Sequence, residues 1–161
     1  MYLTESSRAD TEQRRALATY AWKLLHLYLP IEAHNESSVM AQYRGFYLNI
    51  SFDMEQAIMV ICLGKEIKHP SNNRQLRRLN ELNTRSILGS HSIHDCMGCY
   101  LYRLTVWLEK ELTSQRLFEV LDHCVEEAYQ GLQSIDKVEQ GSGKTKEKPY
   151  KIVYKNFIEI Q

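Results

Sequence analysis

Apolar residues recur with helical spacing over residues 11–29, where Leu17, Tyr20, Ala21, Leu24, Leu25 and Tyr28 share one face. Glu12, Arg15, Lys23 and His26 point away from it. Asp10 is placed to cap this helix, Gln13 completes a capping box, and Pro30 ends it. Residues 31–40 are polar enough to read as a loop. The period then changes to two. Over residues 43–52, Phe46, Leu48, Ile50 and Phe52 alternate with Gly45, Tyr47, Asn49 and Ser51, which predicts a strand with one buried face. After a turn at residues 53–56, residues 57–63 are apolar on both faces. That pattern predicts a central strand, or one whose second face is covered by another element or subunit. Residues 65–67 read as a short edge strand.

A second helix is expected over residues 72–87, with Leu76, Leu79, Leu82 and Asn83 facing the core and Arg74, Arg77, Arg78 and Arg85 outside. Gly89 follows as a left-handed C-terminal residue. Residues 90–94 and 100–107 pair as a hairpin around Asp95-Cys96-Met97-Gly98. A third helix opens after Thr113, with a stripe of Leu117, Leu121, Cys124, Ala128 and Leu132. These elements predict an α+β fold, an antiparallel sheet packed by helices in the order α-β-β-(β)-α-β-β-α. Residues 1–136 read as one domain, 137–149 as a flexible linker, and 150–161 as a docking segment or extra edge strand. The last expectation rests on Ile152, Tyr154, Phe157 and Ile160, which are too apolar to be left in water.

The run Leu79-Asn80-Glu81-Leu82-Asn83, the step Ile87-Leu88-Gly89, the acidic-plus-glycine turn at residues 95–98 and the pair Tyr102-Arg103 together resemble the YbjN domain. More distantly they resemble the type III secretion chaperones of similar architecture. The resemblance covers most of residues 11–135 as topology and about a third of the chain as motif. It implies a twisted antiparallel sheet packed by helices, often in a dimer, with no catalytic residue and no cofactor. The Cys-x-x-Cys of the turn and the segment beyond Val138 lie outside the family pattern.

Composition narrows the function classes. The 161 residues are 43% hydrophobic and 25% charged, with 20 basic and 20 acidic side chains, so a single domain can build a core without metal or disulfide support. Zero net charge argues against nucleic-acid binding through bulk phosphate attraction. The balance is uneven: residues 1–136 carry 14 Lys/Arg against 17 Asp/Glu, a net of −3, and residues 137–161 carry six Lys against three Glu, a net of +3. No apolar run approaches membrane-spanning length and no signal segment is visible, so a cytoplasmic location and no membrane partner are expected. Four cysteines suit a reducing compartment rather than a disulfide framework.

Few residues look like chemistry. His91, His94, Cys96 and Cys99 have the donor types of a zinc site, but the two histidines fall on opposite faces of a strand and no distant ligand pair is evident. A turn built by Asp95 and Gly98 is the simpler reading, and neither metal nor cofactor is expected. Cys96 and Cys99 do not open a helix after a strand, as a redox pair would. Gly141-Ser142-Gly143-Lys144-Thr145 imitates the end of a phosphate loop but has Val138 where the first glycine is needed. His123 and Cys124 point about 100° apart on a helix, so they form no acid–base pair.

The aromatic residues are more telling. Tyr43, Tyr47 and Trp107 fall outside the expected core, and with Tyr154 and Phe157 they are the candidate protein-binding residues. The expected function is a non-catalytic protein-binding module, chaperone-like or regulatory, with a client or a second copy as partner. An immunity-type inhibitor of one protein is the alternative, and a small enzyme built on His91, Asp95 and Arg103 a third.

Overall fold

The computed structural model describes residues 5–139, with side chains from residue 9 to residue 137. Helix α1 (Glu5–Tyr28) leads into strands β1 (Ile31–His34), β2 (Ser38–Tyr43), β3 (Phe46–Asp53) and β4 (Ile58–Glu66). Helix α2 (Asn73–Arg85) follows, then β5 (Gly89–His94), a 3-10 turn at Asp95–Met97, β6 (Cys99–Trp107) and helix α3 (Ser114–Glu139). The six strands form one sheet in the order β1-β2-β3-β4-β6-β5, and every adjacent pair is antiparallel. The α+β class and the helix-packed antiparallel sheet are therefore as expected, and β4 is central between β3 and β6. No helix among the described residues is long and apolar enough to cross a membrane.

Register divides the sheet into two faces, because paired residues share a side and successive residues alternate. Rows such as Val39–Ile50–Ile61–Leu104 and Ala41–Leu48–Leu63–Tyr102 form the face that carries the core. Against it α1 sets Ala18, Ala21 and Leu25, while α3 sets Leu117, Leu121, Cys124 and Ala128, all essentially without solvent exposure. Trp22 stands edge-on to Phe52 at 5.9 Å, and Tyr28 edge-on to Phe118 at 6.3 Å. The mixture of small residues on α1 and larger ones on α3 lets both helices lie close on a sheet of bulky side chains.

Several local expectations are corrected. Residues 31–40 contain β1 and part of β2 rather than a loop, and Lys65 and Glu66 extend β4 instead of starting a new strand. Helix α1 already includes Glu5, so Asp10 lies inside it and caps nothing. Tyr20, Tyr28 and Leu76 stay outside the core, 43%, 49% and 41% exposed. Thr113 does cap α3, its Oγ1 accepting from the Arg116 N–H at 3.1 Å. Helix α2 has a full capping box: Asn72 Oδ1 accepts from the N–H groups of Arg74 and Gln75, and Gln75 Oε1 accepts from the Asn72 N–H.

Helix α2 also closes one margin of the sheet. The side-chain amide of Asn83 donates to the His91 carbonyl at 2.9 Å and accepts from the His91 N–H at 2.7 Å. One asparagine thus occupies the strand edge as a neighbouring strand would, and Ser86 Oγ donates to the Gly89 carbonyl at 2.7 Å. Gly89 is not in the left-handed region. It is glycine because a Cβ there would overlap the Tyr102 ring. At the opposite margin β1 has no outer strand among the described residues, and Glu32, Ala33 and His34 are exposed.

Candidate protein-binding surface

The second face of the sheet faces away from α1 and α3. Its rows are Ser38–Ser51–Val60–Thr105, Met40–Asn49–Cys62–Arg103–Ser90 and Gln42–Tyr47–Gly64–Leu101–Ser92, with Ile58 and Trp107 paired at one end. Val60, Ile58, Cys62 and Leu101 are half-buried there. Strand β4 is apolar on both sides because both faces of this sheet are apolar along its middle. The helices satisfy only one of them.

Of the sequence-predicted binding residues, Tyr47 and Trp107 are on this open face, and Trp107 is 63% exposed at the end of β6. Tyr43 is not with them. Arg44 and Gly45, with φ of +46° and +80°, make a two-residue turn between β2 and β3, so Tyr43 pairs with Phe46 and shares its covered side. Its hydroxyl donates to Asp122 Oδ1 at 2.6 Å, and Arg44 reaches the other carboxylate oxygen at 3.0 Å. Burial first, then the Asp122 carboxylate, push the Tyr43 phenol up to about 12. With Tyr129 donating to the Arg44 carbonyl, this clamp ties the hairpin to α3. Tyr154 and Phe157 lie outside the described residues, as do the 141–145 segment and the linker and docking segment beyond Glu139; residues 137–139 still belong to α3.

Sequence reasoning missed two exposed residues. Ile87 and Leu88, between α2 and β5, are 94% and 65% exposed, and Leu88 borders a cleft of about 360 Å³ with Trp107, Leu104 and Val120. Their apolar character was legible, but an Ile-Leu-Gly step at a helix end reads as a buried staple rather than as surface.

The hairpin donors do not converge. His91 is on the covered face, with Nδ1 2.6 Å from the Tyr100 hydroxyl. His94 is on the other face, paired with Cys99. Asp95 is engaged by Ser71, which donates from its N–H at 2.8 Å and its Oγ at 2.7 Å. Cys96 is exposed, whereas Cys99 is buried and its thiol pushed up to about 11 by that burial. No cluster of three metal-ligating side chains occurs among the described residues. His91, Asp95 and Arg103 are likewise not gathered into one pocket, since Arg103 is exposed on the open face and His91 lies beneath α3.

Under α3 the polar groups are instead paired for packing. Tyr102 Oη donates to Glu127 Oε2 at 2.7 Å beside the His91–Tyr100 bond. Burial lowers the His91 pKa, opposed by Glu127, and burial raises those of both tyrosines. On the open side, burial raises the Cys62 thiol against the pull of Arg103, so it is a thiol and not a thiolate near neutrality. What this surface can offer chemically is apolar burial and hydrogen bonding.

The fold is similar to those of solved structures. The crystal structure of YbjN from E. coli matches at a TM-score of 0.52 and 11% identity, over 76% of this chain and 92% of that one. The fold is YbjN-like. The ExsC–ExsE complex contains a chain matching at 0.53 and 13% identity, over 73% and 88%. The HopA1–SchA chaperone–effector complex contains one at 0.48 and 15% identity, over 76% and 94%. The YbjN-like architecture implied by the asparagine and tyrosine motifs is thus the architecture formed. No family model matches the chain, and no curated protein matches it by sequence.

Proposed function

We propose that this protein is a non-catalytic protein-binding module that holds an apolar segment of a partner protein on the open face of its sheet. The observation that carries the reading is the apolar strip on that face, Ile58, Val60, Cys62 and Leu101, with the described helices packed on the other side. Trp107, 63% exposed at the rim, extends the same surface. A partner burying a few such side chains gains about 1.5–3 kcal/mol from each large one. The dispersed hairpin donors support binding rather than bond making. The fold shared with a chain of the ExsC–ExsE complex supports a protein as the ligand. The margin at β1, which no described strand pairs, gives a second copy a strand edge to join, so a homodimer belongs to the same proposal.

Photo-crosslinking tests it. A benzoylphenylalanine placed at Trp107, or at Val60, is expected to capture one partner in cells, while the same group at Leu27, 77% exposed on α1, captures none. Equal capture at all three positions, or none at the open face, would overturn the reading. Circular dichroism of the isolated partner then separates an unfolded client from a folded protein being inhibited.

A further inference from the structure

We propose that the C-terminal segment, residues 150–161, occupies the open face over β3 and β4, and that a binding partner must displace it. The displacement half of this proposal rests on the protein-binding reading above; the contact itself does not.

The first observation is Asn49. It points to the open side, yet it is only 6% exposed, and its Oδ1 is buried with no donor among the described residues. Its row neighbour Met40 is 9% exposed and nearby Ser38 5%. An amide oxygen removed from water without a donor is costly. The site therefore asks for a ligand that brings an N–H group together with apolar side chains. An extended polypeptide supplies both.

The second observation is where the chain goes. Ile135 and Asp136, near the end of α3, line one cleft with Glu66 and Lys68, so the helix ends beside the C-terminal end of β4. The ten residues 140–149 can reach about 33 Å, roughly the length of a nine-residue strand, so the segment after them can be laid along any row of the face. That segment sets Ile152, Val153 and Tyr154 between Lys151 and Lys155, followed by Phe157, Ile158 and Ile160. Its apolar members match Val60, Cys62 and Leu101, and either a backbone N–H or a lysine ammonium can donate to Asn49. The net +3 of residues 137–161 against −3 in the remainder favours the contact, by little at physiological salt.

Cys62 makes the proposal measurable in the full-length chain. It lies on the open face next to Asn49 in register, whereas Cys96 is exposed on the distant hairpin turn, and Cys99 and Cys124 are buried. The experiment is maleimide labelling followed by peptide mass mapping, comparing the parent with the double variant Tyr154→Asp/Phe157→Asp. Expected is Cys62 labelling about tenfold faster in the variant, with the Cys96 rate unchanged and Cys99 and Cys124 still protected, which shows that the fold persists. A thiol–amine crosslinker should also join Cys62 to Lys151 or Lys155 within one chain. Equal Cys62 rates in the two proteins overturn the proposal. So does protection in the parent that disappears on dilution, which would identify a second copy as the occupant. Shielding by the segment without partner capture, even in the double variant, would leave the contact standing and remove the partner reading. Capture without shielding would do the reverse.

Discussion

The imidazole of His91 lies beneath α3 among Tyr100, Tyr102 and Glu127, and its surroundings decide what acid does to this protein. Burial holds its pKa below the ordinary 6.5, so between that value and the lowered one the unfolded chain binds a proton that the folded chain refuses. Stability contributed by this residue is therefore complete above pH 6.5 and lost as pH falls below it. The urea midpoint should drop between about pH 7.5 and about pH 5, and His91→Gln should flatten part of that slope. Identical slopes in parent and variant would show that His91 takes no part. The same contact constrains Gly131, where a methyl group would overlap the Tyr100 hydroxyl and the His91 ring. Alanine is the better helix former by about 1 kcal/mol, yet overpacking costs about 1–3 kcal/mol. Gly131→Ala should consequently destabilise, read as a lower urea midpoint, although it improves helix propensity.

Asn83 acts at the scale of elements, because one side chain joins α2 to β5 through two backbone groups of His91. Removing it in Asn83→Ala leaves both groups without their partner and should cost about 1–2 kcal/mol, with faster amide exchange at His91 than at Tyr100. If exchange at His91 is unchanged, α2 does not hold that edge. In the sequence this asparagine stood out as part of a motif, but its partner, eight residues on, could not be read there. The amphipathic stripes of α1 and α3 and the alternation of β3 were legible because burial on one side writes a period into the chain. Strand β1 was not, since Glu32, Ala33 and His34 are exposed and an edge strand held by backbone pairing leaves no such period. Tyr43 was misplaced for a related reason. Alternation was carried straight through Arg44-Gly45, where a two-residue turn returns the chain on the same face.

Among the described residues the sheet has helices on one side only, and the open side was visible in sequence as the second apolar face of residues 57–63 and the aromatic positions Tyr47 and Trp107. Which face a residue occupies should decide the fate of otherwise similar substitutions. Ile61 is wholly buried on the covered side and pairs with Ile50 and Leu104, while Val60, its neighbour in β4, is half-buried on the other side opposite Ser51 and Thr105. A lysine at 61 would place an unpaired ammonium inside the core, so Ile61→Lys should cost more than about 4 kcal/mol and leave little folded protein. A lysine at 60 can lift its charge into water along its own stem, so Val60→Lys should cost about 1 kcal/mol or less and keep the native circular dichroism. That folded variant should nevertheless lose crosslinking at Trp107, because an ammonium standing in the middle of the open face denies a ligand its apolar seat. Should Val60→Lys instead unfold the chain as fully as Ile61→Lys, the open face would be a second core whose cover is required for folding, and a partner could not be admitted there.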